Sequence, residues 1–299
     1  MECTLCPRNC RADRETSFGV CGAGKRIRIA RAALHYWEEP CISGEKGSGA
    51  VFFTGCALHC IYCQNREISL IKPEAEDSIS PGREVNIPEL IEIFYDLREQ
   101  GAHNINLVTA DHYIPLVAEA IRKAKDQGFK LPFVFNCSGY ETVNSLKILD
   151  GLVDIYLTDL KYAENELAKA FSNAEDYPET AKKALSEMFR QCPLLEYDEK
   201  GMLKKGVIVR NLLLPKHVMN SKKVLRYLYE TYGDSIIISI MSQYTPGDHI
   251  PDKYPELKRR VSRAEYERLT DYAIKLGIKN AFIQDVSSAG SSFIPEFTR

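Results

Sequence analysis

No apolar run in the 299 residues approaches the ~18 that a membrane-spanning helix needs. The longest, around Ile236–Met241, is strand-sized. Neither sign of charge dominates. Thirty-nine Lys and Arg against 41 Asp and Glu leave −2, too little to draw nucleic acid or an anionic membrane by its overall field. The biases of disordered, collagen-like or coiled-coil chains are missing too, with 44% hydrophobic and 27% charged residues, as in ordinary globular proteins. The opening residues MECTLCPRNCRADR lack the apolar core of a secretory signal, so a cytoplasmic location is expected. Gly44-Glu45-Lys46-Gly47-Ser48-Gly49 precedes a strand instead of linking strand to helix, so neither a P-loop nor a dinucleotide fingerprint fits. No nucleophile elbow, zinc-protease helix or internal repeat is present.

Cysteine is the exception. There are ten, and seven fall in two clusters within the first 63 residues. A reducing cytoplasm disfavours disulfides, so clustered thiols point to metal ligation or redox chemistry. Cys41, Cys137 and Cys192 stand apart and read as buried thiols. Cys137 is notable because it follows a strand.

From residue 50 onward, short runs rich in Val, Ile and Phe alternate with segments of helical period. The runs at 50–54, 104–109, 132–136, 153–158, 206–213 and 235–241 are expected strands, with 280–284 a possible seventh. Helices are expected over 88–100, 114–127, 141–150, 164–171, 179–191, 221–230 and 263–276. Repeated strand–helix units imply a parallel sheet covered by helices. The expected fold is α/β, a partial (β/α)6 TIM-like barrel, with a doubly wound open sheet as the alternative. Ligands then gather at the carboxyl ends of the strands. Residues 1–49 form a cysteine-rich, metal-binding extension and 50–299 the barrel. Segments 72–86 and 244–260 read as surface loops near the site, and 194–206 as a small hairpin.

Directly after the first expected strand comes Gly55-Cys56-Ala57-Leu58-His59-Cys60-Ile61-Tyr62-Cys63. Three thiolates spaced four and three residues apart can wrap an iron–sulfur cubane and leave its fourth iron without a protein ligand. Zinc would need a fourth ligand, and His59, adjacent to Cys60, is poorly placed to supply it. Cys3, Cys6, Cys10 and Cys21 form a C-x2-C-x3-C-x10-C set that can complete a four-thiolate shell around zinc or an iron–sulfur cluster.

On the C-x3-C-x2-C spacing, the chain resembles the radical S-adenosylmethionine (SAM) superfamily. On CTLCPRNCRADR…GVCG, YWEEPCISGEKGSGAVFFTGCALHCIYCQNREIS, NLVTADHY, TDLKY and SIMSQYTP it resembles the uncharacterised branch related to pyruvate formate-lyase activating enzyme. The resemblance implies a [4Fe–4S] cluster on Cys56, Cys60 and Cys63 with SAM on the open iron. It also implies reductive cleavage of SAM to a 5′-deoxyadenosyl radical that abstracts hydrogen from substrate, and an electron donor such as flavodoxin or ferredoxin. Tyr62 would lie near the adenine. Activators carry Gly-Gly-Glu-Pro after the second strand, where this chain reads Val108-Thr109-Ala110-Asp111, so Thr109 and Asp111 are candidate substitutes for the SAM contacts. Asn136 and Ser138 follow the third strand, where the family binds SAM. Asp159 and Lys161 match its Asp-x-Lys.

Arg210, inside a strand, demands a carboxylate partner, for which substrate or SAM is a candidate. Gln243 and Tyr244 could reach substrate. The expected function is hydrogen abstraction from a small molecule or peptide. Activation of a glycyl-radical enzyme, with a partner protein, is one alternative. A non-catalytic metal-binding interaction protein is the other. Nucleic acid is not expected as a partner.

Overall fold

The computed structural model describes residues 2–71 and 81–283. Ten strands are present among them: β1 (Ile27–His35), β2 (Ser48–Phe53), β3 (Arg83–Val85), β4 (Ile105–Val108), β5 (Phe133–Cys137), β6 (Ile155–Asp159), β7 (Glu196–Tyr197), β8 (Leu203–Leu212), β9 (Ile237–Met241) and β10 (Ala281–Ile283). Nine of them run in the order β10-β9-β8-β6-β5-β4-β2-β1-β3, and β7 pairs with β8 as the expected hairpin. From β2 to β10 every neighbour on this path is parallel. The sheet curls without closing, as a partial TIM-like barrel does.

The expected strands and helices lie within a few residues of the observed ones. Residue 284 and residues 72–80 of the expected loop lie outside the described residues. β1 and β3 had no counterpart among the expected elements. β1 pairs antiparallel with β2, and β3 with β1. Residues 27–35, placed in the extension by the sequence, are therefore part of the main sheet. β1 reads IRIARAALH, with arginines that break the apolar run by which its neighbours are recognised.

Strand register separates two faces, because alternate residues point to opposite sides. One rung aligns Ala50, Asn106, Val134, Ile155 and Gly206, the next Phe52, Val108, Asn136, Leu157 and Ile208, and a third begins with Asp159 and Arg210. Apolar members of these rungs pack in two small clusters, one including Cys41, Ile42 and Leu203, the other Ile68. Their outward neighbours, among them Phe53, Leu107, Phe135 and Tyr156, join the large core shared with the helices. The concave face thus turns polar toward the carboxyl ends.

The turn after β1 closes the barrel's amino end. Asn104 Nδ2 donates to the Ile42 carbonyl at 2.8 Å, and Ser48 Oγ to Asn104 Oδ1 at 2.6 Å. Access to the concave face is left at the carboxyl end.

Candidate functional site

Cys56, Cys60 and Cys63 sit on the loop after β2 and line one cavity of ≈ 250 Å³ with Thr109, Asn136, Ser138, Asp159, Lys161, Arg210 and Gln243. All ten cysteines are free thiols. Each of the three loop sulfurs faces a donor: the Leu58 amide reaches Cys56 at 3.4 Å, Ser172 Oγ reaches Cys60 at 3.0 Å, and Ser69 Oγ reaches Cys63 at 3.3 Å. Such donors stabilise ligating thiolates. Burial, with Cys63 and Asp159 adding to it, raises the Cys60 thiol against the Lys161 charge, and burial together with Cys60 and Cys63 raises Cys56. Buried neutral thiols close together suit a bound cationic centre, which removes that penalty by taking them as thiolates. The residues present therefore fit an iron–sulfur cluster.

The loop's path depends on Gly55. Its φ is +91°, and a Cβ there would lie 2.4 Å from the Cys21 carbonyl oxygen. That carbonyl accepts from the Cys56 amide at 3.1 Å. The N-terminal head is thus tied to the loop at a cysteine of each. Arg8 strengthens the tie: Nε donates to the Ala57 carbonyl at 2.8 Å, and Nη2 to the Leu58 and Ser172 carbonyls at 3.3 and 2.9 Å.

At the cavity floor, Arg210 reaches Glu38 Oε2 with Nη1 at 3.1 Å, Asp159 Oδ1 with Nε at 3.2 Å, and Asn136 Oδ1 with Nη2. Lys161 Nζ donates to the other Asp159 oxygen. The carboxylates that the sequence left open for Arg210 are therefore supplied by the chain itself. Glu38 was not singled out in the sequence, since it lies 172 residues away. Its Oε1 accepts from Asn106 at 3.0 Å and Asn136 at 3.2 Å. Two acids and two bases leave the floor neutral. Burial would raise the Asp159 carboxyl, but Lys161 and Arg210 more than offset it and hold it below the usual range.

Other candidates are placed differently. Asp111 does not line the cavity; it is buried with Cys137 and Glu141, their ligand atoms within 4.8 Å of one another. Burial pushes its carboxyl up to about 7, opposed by a hydrogen bond with Glu141, whose own carboxyl is raised by burial and by Asp111. Burial thus favours the neutral form of both carboxyls. Tyr62 lines the cavity, yet its hydroxyl meets that of Tyr162 at 2.8 Å and its ring packs edge-on to Phe171 and Tyr244. Tyr244 is fully buried, its hydroxyl donating to the Leu257 carbonyl at 2.5 Å. Part of the expected 244–260 surface loop is therefore packed. Thr109 adopts φ +58°, where a β-branched residue is strained. A glycine takes that conformation freely.

The site is thus three cysteines at the carboxyl mouth of an open parallel barrel. Residues 50–193 match the family model of the Radical SAM superfamily. The uncharacterized protein MJ0674 of Methanocaldococcus jannaschii is 28% identical over 279 residues, covering 92% of this chain and 75% of its own length. Among solved structures, Streptococcus suis SuiB bound to S-adenosylmethionine is similar at a TM-score of 0.48 and 11% identity, over 77% of this chain and 48% of SuiB. SuiB bound to precursor peptide SuiA gives 0.48 and 12%, over 76% and 46%. This chain spans less than half the length of those SuiB chains. Among the described residues, no helix is long and apolar enough to cross a membrane.

Proposed function

We propose that this chain is a radical SAM enzyme in which Cys56, Cys60 and Cys63 hold a [4Fe–4S] cluster and the cavity beside them takes SAM and a small-molecule or peptide substrate. When bound, the cluster supplies the electron that cleaves SAM to methionine and a 5′-deoxyadenosyl radical, the species able to take hydrogen from an unactivated C–H bond. The reading rests above all on one observation: three donor-supported cysteine sulfurs and a neutral buried ion network line the same cavity.

The remaining residues bind and position. Thr109, Asn136 and Ser138, at the ends of β4 and β5, present small polar groups beside the cysteine loop. Asp159 and Lys161 hold each other, with Lys161 kept protonated by Asp159 against the burial that opposes it. Gln243 is tied to the loop side, its carbonyl accepting from Gln64 Nε2 at 3.1 Å. The head, through Cys3, Cys6, Cys10 and Cys21, holds a second metal centre. Reducing equivalents come from a one-electron carrier protein of the flavodoxin or ferredoxin kind.

The test is anaerobic reconstitution with iron and sulfide, reduction with dithionite, addition of SAM and quantification of 5′-deoxyadenosine. Product formation that a Cys60→Ala variant lacks supports the reading. No product, together with no SAM binding by a cluster-loaded protein, favours the non-catalytic interaction protein.

A further inference from the structure

The four head cysteines leave open whether their metal is zinc or a cluster, and what it is for. A tetrahedral zinc with ~2.3 Å bonds draws its sulfurs to about 3.8 Å from one another. A [4Fe–4S] cubane holds its thiolates farther apart, at about 6 Å. Among the described residues no three of the head sulfurs lie within 4.8 Å of one another, and the same is true of the three loop sulfurs. The head is nonetheless gathered around one point. The Cys10 and Cys21 sulfurs lie 3.5 and 3.2 Å from where a Cβ on Gly19 would sit, which bounds their separation by the sum of the two distances. Cys3 pairs with the chain just beyond Cys10, its amide donating to the Ala12 carbonyl at 3.0 Å and its carbonyl accepting from the Arg11 amide at 3.1 Å. The head sulfurs are therefore gathered without being drawn in as a tetrahedral zinc would draw them, which favours a cluster over one ion.

The two cysteine groups are also joined by a short path. Cys21 passes from sulfur through its own backbone to a carbonyl that accepts the Cys56 amide at 3.1 Å, and from there the path runs to the Cys56 sulfur. A single hydrogen bond separates a ligand of one centre from a ligand of the other. Arg14 lies at the junction, with Nη2 3.6 Å from the Cys21 sulfur and Nη1 on the His112 carbonyl. At the far side, Cys10 is the one head cysteine that is not buried. Exposed Phe18 and Val20 lie near it in the chain.

We infer that Cys3, Cys6, Cys10 and Cys21 hold a second [4Fe–4S] cluster that relays single electrons from a reduced one-electron carrier protein to the centre on Cys56, Cys60 and Cys63. The inference rests on the function proposed for that loop. The donor is oxidised by one electron, the head cluster is reduced and then reoxidised, and the electron ends in the loop cluster. No proton moves and no covalent bond changes in the relay.

The experiment uses the full chain, reconstituted anaerobically, and begins with metal content. The wild type should hold about eight irons and eight sulfides per chain with no stoichiometric zinc, and its reduced spectrum should show two magnetically interacting clusters. One zinc with about four irons would overturn the proposal without touching the reading of the loop. A Cys56→Ala/Cys60→Ala/Cys63→Ala variant should keep about four irons. If it keeps none while the wild type has about four, the head carries no cluster. The relay is tested by the ratio of SAM cleavage driven by reduced flavodoxin to that driven by dithionite. This ratio should fall at least tenfold in Cys10→Ala, and an unchanged ratio would remove the relay role. Should Cys10→Ala fail to fold, the iron count and magnetic interaction of the wild type still decide the proposal. Failure of the underlying function looks different: the wild type would carry a head cluster yet cleave no SAM with either reductant.

Discussion

The cysteine loop after β2 and the cysteine head before β1 use the same residue type for different ends. The loop contributes three cysteines whose sulfurs face a cavity and receive hydrogen bonds from Leu58, Ser172 and Ser69. The head contributes four, three of them buried, and its sulfurs line no cavity described around the loop. On the proposed reading, three ligands would leave a coordination position for a small molecule and four would close the shell, so that one region carries chemistry and the other holds or transfers. The comparison also shows dependence in one direction. The head has little apolar core of its own and is held by hydrogen bonds to barrel loops: Arg8 to the cysteine loop, and the Leu5 carbonyl to Ser145 at 2.6 Å.

The comparison breaks most sharply at Cys60. Cys60→Ala should lower 5′-deoxyadenosine formation by at least about a hundredfold, since no side chain substitutes for the cofactor, while the head keeps its metal. Elemental analysis beside the product assay would show both. Next in size is Arg210→Met, which leaves Glu38 buried without its cation and Asp159 with Lys161 alone. Breaking a buried ion pair from one side costs about 3–5 kcal/mol, to be read from urea unfolding; an unchanged midpoint would mean the floor is not held by this network. Arg8→Ala removes charge-assisted bonds to four carbonyls, those of Ala57, Leu58, Ser172 and Asn173, and should cost about 2 kcal/mol. Faster hydrogen exchange at 57–59 and in the head would confirm that the two regions are held together there. The smallest effect concerns Asp111. Its folded carboxyl, pushed up to about 7, keeps a proton that the unfolded chain releases near its ordinary value. The stability this contributes is full at low pH and is lost as pH rises through about 7. Asp111→Asn should flatten that decline, measured as the difference in urea midpoint between the two proteins at each pH.

Much of the barrel was legible beforehand because parallel strands buried on both faces are near-continuous apolar runs, and β4, β5, β6 and β9 are of that kind. β1 escaped because an antiparallel strand near the sheet's edge carries arginines and lacks that signature. Among site residues, Cys56, Cys60 and Cys63 were visible because a chelating loop needs short, definite spacings. Glu38 was not, since nothing local in a Glu-Glu-Pro turn says which carboxyl meets an arginine 172 residues on. The demand was visible, as a buried Arg needing an acid, while the supplier was hidden. Asp111 shows the converse. Its position after a strand suggested the cavity, but the 3-10 turn at Asp111–Tyr113 carries it to Cys137 and Glu141 instead.

Spacing along the chain determined by itself what each segment could ligate, because ligand loops are local and their reach is set by a few backbone bonds. Only the tertiary structure decided that Arg210 is neutralised by Glu38 and Asp159 and that the carbonyl of Cys21 holds the amide of Cys56. Those contacts depend on strand register and on the curl of the sheet, which bring together residues with no pattern in common.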